Sequence, residues 1–282
     1  MLMKEFKKYV LEEKSKKTAQ AYIADVKQFV DWLEEKGVNP LKLEQKDMKN
    51  YTEFIQNTGI KAGTANRKLV SVRQYLLWLY KESGAEVDRP VPRIDQVKIQ
   101  RQPYLEDILT KAEFDRIVIA AEKAGDLRAV AILYCLLYTG CRVSEVLQIQ
   151  TDILNKEYLT VIGKGNKTRE VPVHKDLPMK ILPWLRARKA RPSNPYLFPG
   201  HGNQPLHRQS VNAMCKKYAG KARIKLTKAH PHNFRHLTAI ELLKNDCDIV
   251  EVGDILGHSD PKTTAIYLRK TKEALKNSIS KI

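Results

Sequence analysis

Proline decides the first question this chain poses, which is how many folding units it makes. Pro90, Pro92 and Pro103 stand in one stretch of alternating charge with little helical periodicity, residues 88–106. Each ring removes a backbone donor and turns the residue before it away from helix, so no helix runs through the segment. The stretch therefore reads as a linker. It splits a chain of 282 residues, a length at which single cores usually give way to separate domains, somewhere below ~250–300 residues. The expected organisation is a helical domain at 1–87, the linker at 88–106 and a second domain at 107–282. Such a linker is long enough for two lobes to grip opposite sides of a partner.

The first domain is patterned for helix. Tyr22, Val26, Phe29, Val30 and Leu33 share one face of a segment that stops at Gly37 and Pro40, as periodicity and stop signals together require. A second helix is expected over "MKNYTEFIQ". A third is expected after Gly63 with Thr64 as its N-cap, burying Leu69, Val72, Leu76 and Leu79. Its other side is basic: Arg67, Lys68 and Arg73, with Lys61 just upstream, could bond nucleic-acid phosphates or could equally be ordinary solvated helix residues.

Helices predominate again beyond the linker, interrupted by "YLTVIGKGNKTREVPV". Two β-rich runs, Tyr158 to Ile162 and Thr168 to Val173, flank the turn Gly163, Lys164, Gly165 and Asn166, which reads as a hairpin with a basic tip. Its glycines could merely supply positive φ while Lys164 stays in solvent. Upstream, "YTGCRVSEVLQI" places Arg142 and Glu145 three residues apart at a helix start, on one face. An arginine held there by a carboxylate can fork two hydrogen bonds to a phosphate; an ordinary surface ion pair is the alternative.

The stretch "AHPHNFRHLTAIELL" gathers His230, His232 and His236 around Arg235. No H-E-x-x-H pattern is present, and the central cation would repel zinc, so a metal site is disfavoured. His232 and Arg235 instead sit as neighbours on the first turn of a helix whose N-terminal end favours an anion. Further on, a helix carrying Ile249, Val252, Ile255 and Leu256 is expected to end at Gly257 and present His258. Asp260 and Pro261 then open another helix, with Tyr267 about two turns in. Its hydroxyl can be a nucleophile, although a lone tyrosine more often packs.

Charge narrows the partner. Fifty Lys and Arg against 32 Asp and Glu leave a net +18, for which nucleic-acid phosphate is the usual counter-charge, a solvated basic surface being the plainer reading. No stretch approaches the ~18 apolar residues of a membrane span, and the amino terminus is too charged for a signal peptide. A cytoplasmic, nucleoid-associated protein with no membrane partner is expected. Cys135, Cys141, Cys215 and Cys247 form no C-x-x-C pair and read as reduced thiols.

Taken in order, four segments resemble the boxes of the tyrosine recombinases, the integrase family that includes phage integrases and Xer recombinases. "TGCRVSEV" is similar to the family's arginine box, "VIGKGNKTREVPV" to its lysine hairpin, "HPHNFRH" to its H-x-x-R box and "LGHSDPKTTAIY" to its last box. The resemblance implies a mainly α fold: a helical, SAM-like core-binding domain, then an α+β catalytic domain with a small antiparallel hairpin. Carried over residue by residue, it names Arg142, Lys164, His232, Arg235, His258 and Tyr267 as catalytic, with Glu145 supporting the first arginine. His230 and His236 remain unassigned, read as packing or supporting residues.

The activity this implies is site-specific DNA recombination without metal, ATP or other cofactor. Tyr267 would attack phosphorus to give a 3′-phosphotyrosyl enzyme and a free 5′-hydroxyl. Preorganised cations would stabilise the charge that builds on the phosphoryl oxygens. The implied partners are a double-stranded DNA recombination site and further copies of the chain, four protomers on two sites, with room for accessory DNA-bound proteins. The tail, residues 268–282, is expected to reach a neighbouring protomer or to fold back on its own domain. Two readings stand beside this one: a type IB topoisomerase using the same residues, and a DNA-binding protein of the same fold without chemistry.

Overall fold

The computed structural model describes residues 2–84, 90–99, 107–163, 168–189, 193–258 and 260–268, with 276, 279 and 280. The chain divides into two compact units, Met1–Arg101 and Gln102–Ile282. Lys164 and most of the 268–282 tail lie outside the described residues.

The first unit contains α1 (Leu2–Glu13), α2 (Lys16–Lys36), α3 (Gln45–Asn57) and α4 (Ala62–Glu82). The Ser15 side chain accepts from Thr18 N–H at the start of α2, and Gly37 ends it in the left-handed conformation at φ 63°, the usual chemistry at each end. The first turn of α4 begins earlier than its sequence suggests. Lys61 is the N-cap and its carbonyl accepts from Thr64 and Ala65 N–H, which leaves Gly63 and Thr64 inside the first turn. Glycine's conformational cost is felt most in the middle of a helix, so the first turn tolerates it. Phe6, Phe29, Tyr51, Leu69, Val72 and Leu76 build the core of this unit.

Residues 90–99 run along this unit rather than away from it. Val91, Ile94 and Val97 pack on its core. Val97 N–H donates to Asn66 Oδ1 at 2.7 Å, Asn66 Nδ2 donates to the Val97 carbonyl at 3.0 Å, and Gln45 Nε2 donates to the Arg93 carbonyl at 2.8 Å. The prolines forbid helix, while the apolar residues between them still find a surface to cover.

The second unit contains α5 (Lys111–Lys123), α6 (Leu127–Thr139), α7 (Val143–Val146), β1 (Tyr158–Ile162), β2 (Thr168–Pro172), α8 (Leu177–Ala187), α9 (Arg208–Lys221), α10 (Pro231–Lys244), α11 (Ile249–Leu256) and α12 (Pro261–Ala265). Helix α6 is apolar nearly all round and buried along its length, as a central helix must be; α5, α8 and α10 pack on it. The strands pair antiparallel, Tyr158 opposite Pro172 and Ile162 opposite Thr168. Leu159, Val161 and Val171 face the core, and the strand period of two turns Tyr158 and Ile162 outward, where both are exposed.

Helix α12 is a single turn, shorter than its sequence suggests, and Tyr267 lies in the 3-10 turn Ile266–Leu268 that follows. Its neighbours form a small cluster separate from the main core: Ala239, Val252, Leu256 and Tyr267, flanked by Leu242, Leu243 and Cys247. Among the described residues no helix is long and apolar enough to cross a membrane.

Candidate active site

Gly140 ends α6 in the left-handed conformation, φ 58°, and hands the chain to Arg142, the N-cap of α7. A side chain at Gly140 would force its neighbours to shift, because its Cβ would lie 2.7 Å from Leu256 Cδ2 and 3.1 Å from Thr238 Cγ2. The close approach brings the end of α6 against α11, and Arg142 is thereby set near residues more than 90 positions later.

Glu145 is the buried anion of the site, its side chain only 4% exposed. It accepts from Arg142 twice, from the backbone N–H at 2.7 Å and from Nη1 at 3.0 Å. It also accepts from Arg169 twice, Nη1 at 3.1 Å and Nη2 at 2.9 Å. Burial alone would push the Glu145 carboxyl up; the Arg169 and Arg142 contacts outweigh it and hold the group below its ordinary range. Arg142, 45% exposed, keeps part of its guanidinium free.

Arg235 is almost completely enclosed, 1% exposed. Its Nη1 donates to the Gly140 carbonyl at 2.9 Å and its Nη2 to the Leu256 carbonyl. Burial, then the Arg142 charge, lower it to about 10, so it stays a cation at neutral pH. Removing such an ion from water costs several kcal/mol, and each hydrogen bond to a charged group returns about 1.5–3 kcal/mol. Carbonyl oxygens satisfy its donors without cancelling its charge. Arg142 and Arg169 thus share the Glu145 carboxylate while Arg235 is held by carbonyls, and among the described residues the corner keeps a net positive charge suited to an anion.

The last stretch closes over this corner. Gly257 ends α11 at φ 68° and presents His258, whose Nδ1 lies 2.9 Å from the Oγ1 of the buried Thr264. His258 is lowered to about 4 by burial and then by Arg235 and Arg142, so it is neutral in the free protein. Tyr267 is 5% exposed. Its ring stacks at 6.0 Å from that of His258 and meets His236 edge-on at 5.2 Å. Burial raises the phenol's pKa, opposed by the charge and the hydrogen bond of Arg235 and by Arg142.

Of the residues singled out in the sequence, Arg142, Glu145, Arg235, His258 and Tyr267 thus converge. His232 is exposed on the first turn of α10, edge-on to His236 with centroids 4.5 Å apart. His236 is the histidine against the Tyr267 ring, and His230 is the exposed N-cap of α10. In the first unit Lys61, Arg67 and Arg73 are exposed and Lys68 is half-buried. Arg67 and Lys68 are already engaged: both guanidinium Nη atoms of Arg67 bond Asp25, and Lys68 Nζ bonds Gln28 Oε1 at 2.7 Å.

Sequence reasoning overlooked Arg169. The signal was present in the strand alternation, since Arg169 and Val171 share the inward side of β2. A guanidinium there needs a buried carboxylate, and Glu145 supplies it.

The chain matches the phage integrase family over residues 107–274 and the phage integrase N-terminal SAM-like domain over residues 3–83. It belongs to the phage integrase family. The tyrosine recombinase XerD of Rhizobium meliloti (strain 1021) is 32% identical over 271 residues, spanning 92% of this chain and 86% of that protein. XerD of Listeria monocytogenes serotype 4b (strain F2365) is 30% identical over 289 residues, spanning 98% and 96%. Among solved structures, XerA recombinase is 26% identical with a TM-score of 0.54, covering 99% of this chain and 97% of its own. XerH bound to its difH substrate in a pre-cleavage complex has a TM-score of 0.72 at 18% identity, covering 93% and 79%, a likeness of fold.

As an integrase-family tyrosine recombinase, the chain is an enzyme of site-specific DNA recombination that cleaves and rejoins DNA. These relatives, each a recombinase, favour neither topoisomerase activity nor binding without chemistry.

Proposed function

We propose that Arg142, Arg235 and His258 bind the scissile phosphodiester of a DNA recombination site and that Tyr267 attacks its phosphorus. The Tyr267 Oη–P bond forms as the P–O5′ bond breaks. The phenolic proton passes to His232, and Lys164 gives a proton to the departing 5′-oxygen. The products are a 3′-phosphotyrosyl enzyme and a free 5′-hydroxyl. Because the new ester keeps the energy of the old one, attack by a different 5′-hydroxyl completes strand exchange without ATP. Glu145 supports Arg142 from behind.

The observation that carries this reading is the gathering of three guanidinium groups beside the Tyr267 phenol, Arg142 and Arg169 sharing the Glu145 carboxylate and Arg235 held by backbone carbonyls. Charge developing on phosphoryl oxygens is stabilised by cations already in place, without reorganisation during the reaction. A phenol with an ordinary pKa near ~10 needs a base at neutral pH, and burial makes that need greater here.

In the same reading Lys61, Arg67, Lys68 and Arg73 contact DNA phosphates through whatever donors their partners in the first unit leave free. Four protomers assemble on two DNA sites, with accessory DNA-bound proteins as further partners, and the tail of residues 268–282 passes to a neighbouring protomer. The exposed Ile279 gives that tail an apolar contact to make.

The test is covalent capture. The protein is incubated with sheared genomic DNA, denatured in detergent, and the attached fragments are sequenced. Wild-type protein is expected to yield a detergent-resistant adduct on the peptide containing Tyr267. Tyr267→Phe, which removes one hydroxyl and keeps the ring between His236 and His258, should bind the recovered sequence and form none. An adduct that persists in Tyr267→Phe overturns the assignment.

A further inference from the structure

We infer that Arg169 is a positioning residue for the recombination reaction: it occupies the Glu145 carboxylate so that Arg142 remains available to the phosphate. The inference rests on the proposed binding of phosphate by Arg142 and adds a residue to that site.

The geometry is a competition for one carboxylate. Arg169 approaches Glu145 as a fork, one Nη on each carboxylate oxygen, which is the strongest arrangement a guanidinium and a carboxylate make. Arg142 is left with a single side-chain bond, Nη1 to Oε1, and a backbone bond to Oε2. Its Nη1 is fixed in place, while its remaining donors are uncommitted to Glu145. Without Arg169 the same buried carboxylate would have one guanidinium to pair with. Arg142 would turn its own fork inward, and the pair would be neutral where an anion has to bind. Burial makes that outcome steep, since an unpaired carboxylate in this position is costly.

Arg169 is held in place by more than its charge. Its side chain is 16% exposed, and its Nε is a buried donor with no acceptor among the described residues, so all of its directed bonding to a carboxylate goes through the fork. The αL turn at Gly257 lies against its stem: a Cβ there would be 2.5 Å from Arg169 Cδ and 2.6 Å from Nε. One side chain thus touches the helix start that carries Arg142 and the turn that presents His258. It also belongs to β2, so the seating of the β1–β2 pair and the freedom of Arg142 depend on the same ion pair.

The test separates this role from simple structural support. The probe is a nicked duplex carrying the sequence recovered from the wild-type adduct. Binding is read by gel shift, and the initial rate of adduct formation is read under single turnover. Arg169→Met is expected to slow adduct formation about 100-fold, the scale of losing one preorganised cation, while duplex affinity changes by less than about threefold. The decisive arm is the double variant Glu145→Gln with Arg169→Met. Removing the carboxylate releases Arg142, so about tenfold of the lost rate should return.

A merely structural Arg169 gives a double variant as slow as Arg169→Met or slower, and that result overturns the inference. So does an Arg169→Met rate within about threefold of wild type. If Arg169→Met does not fold, Arg169→Lys decides by the same two readings, because a single ammonium cannot cover both carboxylate oxygens. Failure of the wild-type protein to form any adduct overturns the underlying reading and this inference with it; a normal wild-type adduct with an indifferent Arg169 overturns this inference alone.

Discussion

His258 and Thr264 are joined by a 2.9 Å hydrogen bond between Nδ1 and Oγ1, across the turn between α11 and α12. Because His258 is neutral in the free protein, this bond fixes which ring nitrogen is left to face an anion. The tautomer in which the Thr264 hydroxyl donates to Nδ1 leaves Nε2–H as a donor, the form that suits an anion.

Thr264→Val keeps the shape of the buried side chain and deletes that bond. One net hydrogen bond is worth about 1 kcal/mol, so DNA cleavage is expected to slow by about fivefold with half-site binding unchanged. Single-turnover adduct formation checks this. A Thr264→Val protein that cleaves at the wild-type rate shows that His258 needs no such partner.

Gly257→Ala should harm the second unit more than strain alone explains. An alanine in the left-handed region costs roughly 1 kcal/mol, which is what Gly37→Ala should cost, since Gly37 has φ 63° and nothing within 4 Å of a built Cβ. At Gly257 the Cβ must also displace the Arg169 stem, adding about 1–3 kcal/mol of overpacking. Denaturant unfolding of the two variants measures the difference, and equal losses would remove Arg169 from the explanation.

Asp25→Ala tests the first unit. Asp25 is 2% exposed and accepts from both Nη atoms of Arg67 and from Ser71 Oγ at 2.8 Å, with Lys68 Nζ 3.5 Å away. Breaking a buried pair by removing one partner is strongly destabilising, but Arg67 is 46% exposed and can return to water. The expected loss is therefore about 2 kcal/mol, below the fully buried case. Chemical denaturation checks it. A change within 0.5 kcal/mol, the range of ordinary surface substitutions at ~±0.5 kcal/mol, would show that Asp25 does not organise the basic face of α4.

How much of this could be read in the sequence depends on the distance between partners. Arg142 and Glu145 lie three residues apart, and the hairpin announces itself through β-branched alternation around Gly163 and Gly165. Both are local, so spacing alone exposes them. Asp25 lies on the face of α2 that also carries Val26 and Phe29, a polar residue turned inward, yet its partners on α4 are more than 40 positions away. Arg169 is likewise 24 positions from Glu145. A strand residue gives no hint of which carboxylate it will meet until the hairpin is docked. The short α12 escaped for a different reason: nothing in the local residue pattern marks where α-helix gives way to the 3-10 turn that carries Tyr267.

Acid should destabilise the second unit before its carboxylates titrate. His236 and His258 are each lowered to about 4, first by burial, and His230 and His232 are lowered with the same first cause. The unfolded chain takes up these protons near pH ~6.5, while the folded chain refuses them until well below that. Between those values the unfolded state binds more protons, so stability is fully present above pH ~6.5 and is lost as pH falls toward about 4. Glu113, Asp126 and Glu145 are held below their ordinary range and add to the loss with the same sign, but only below pH ~4.5. The melting temperature of the second unit should therefore fall from pH 7 to pH 5. His236→Gln should flatten that fall, because His236 Nδ1 is buried with no hydrogen-bond partner among the described residues and the amide has no proton to gain. A melting profile level between pH 7 and pH 5, or one that His236→Gln leaves as steep as wild type, would mean that His236 is solvated enough to charge without cost. The packing of that ring against Tyr267 would then be too loose to hold the nucleophile in place.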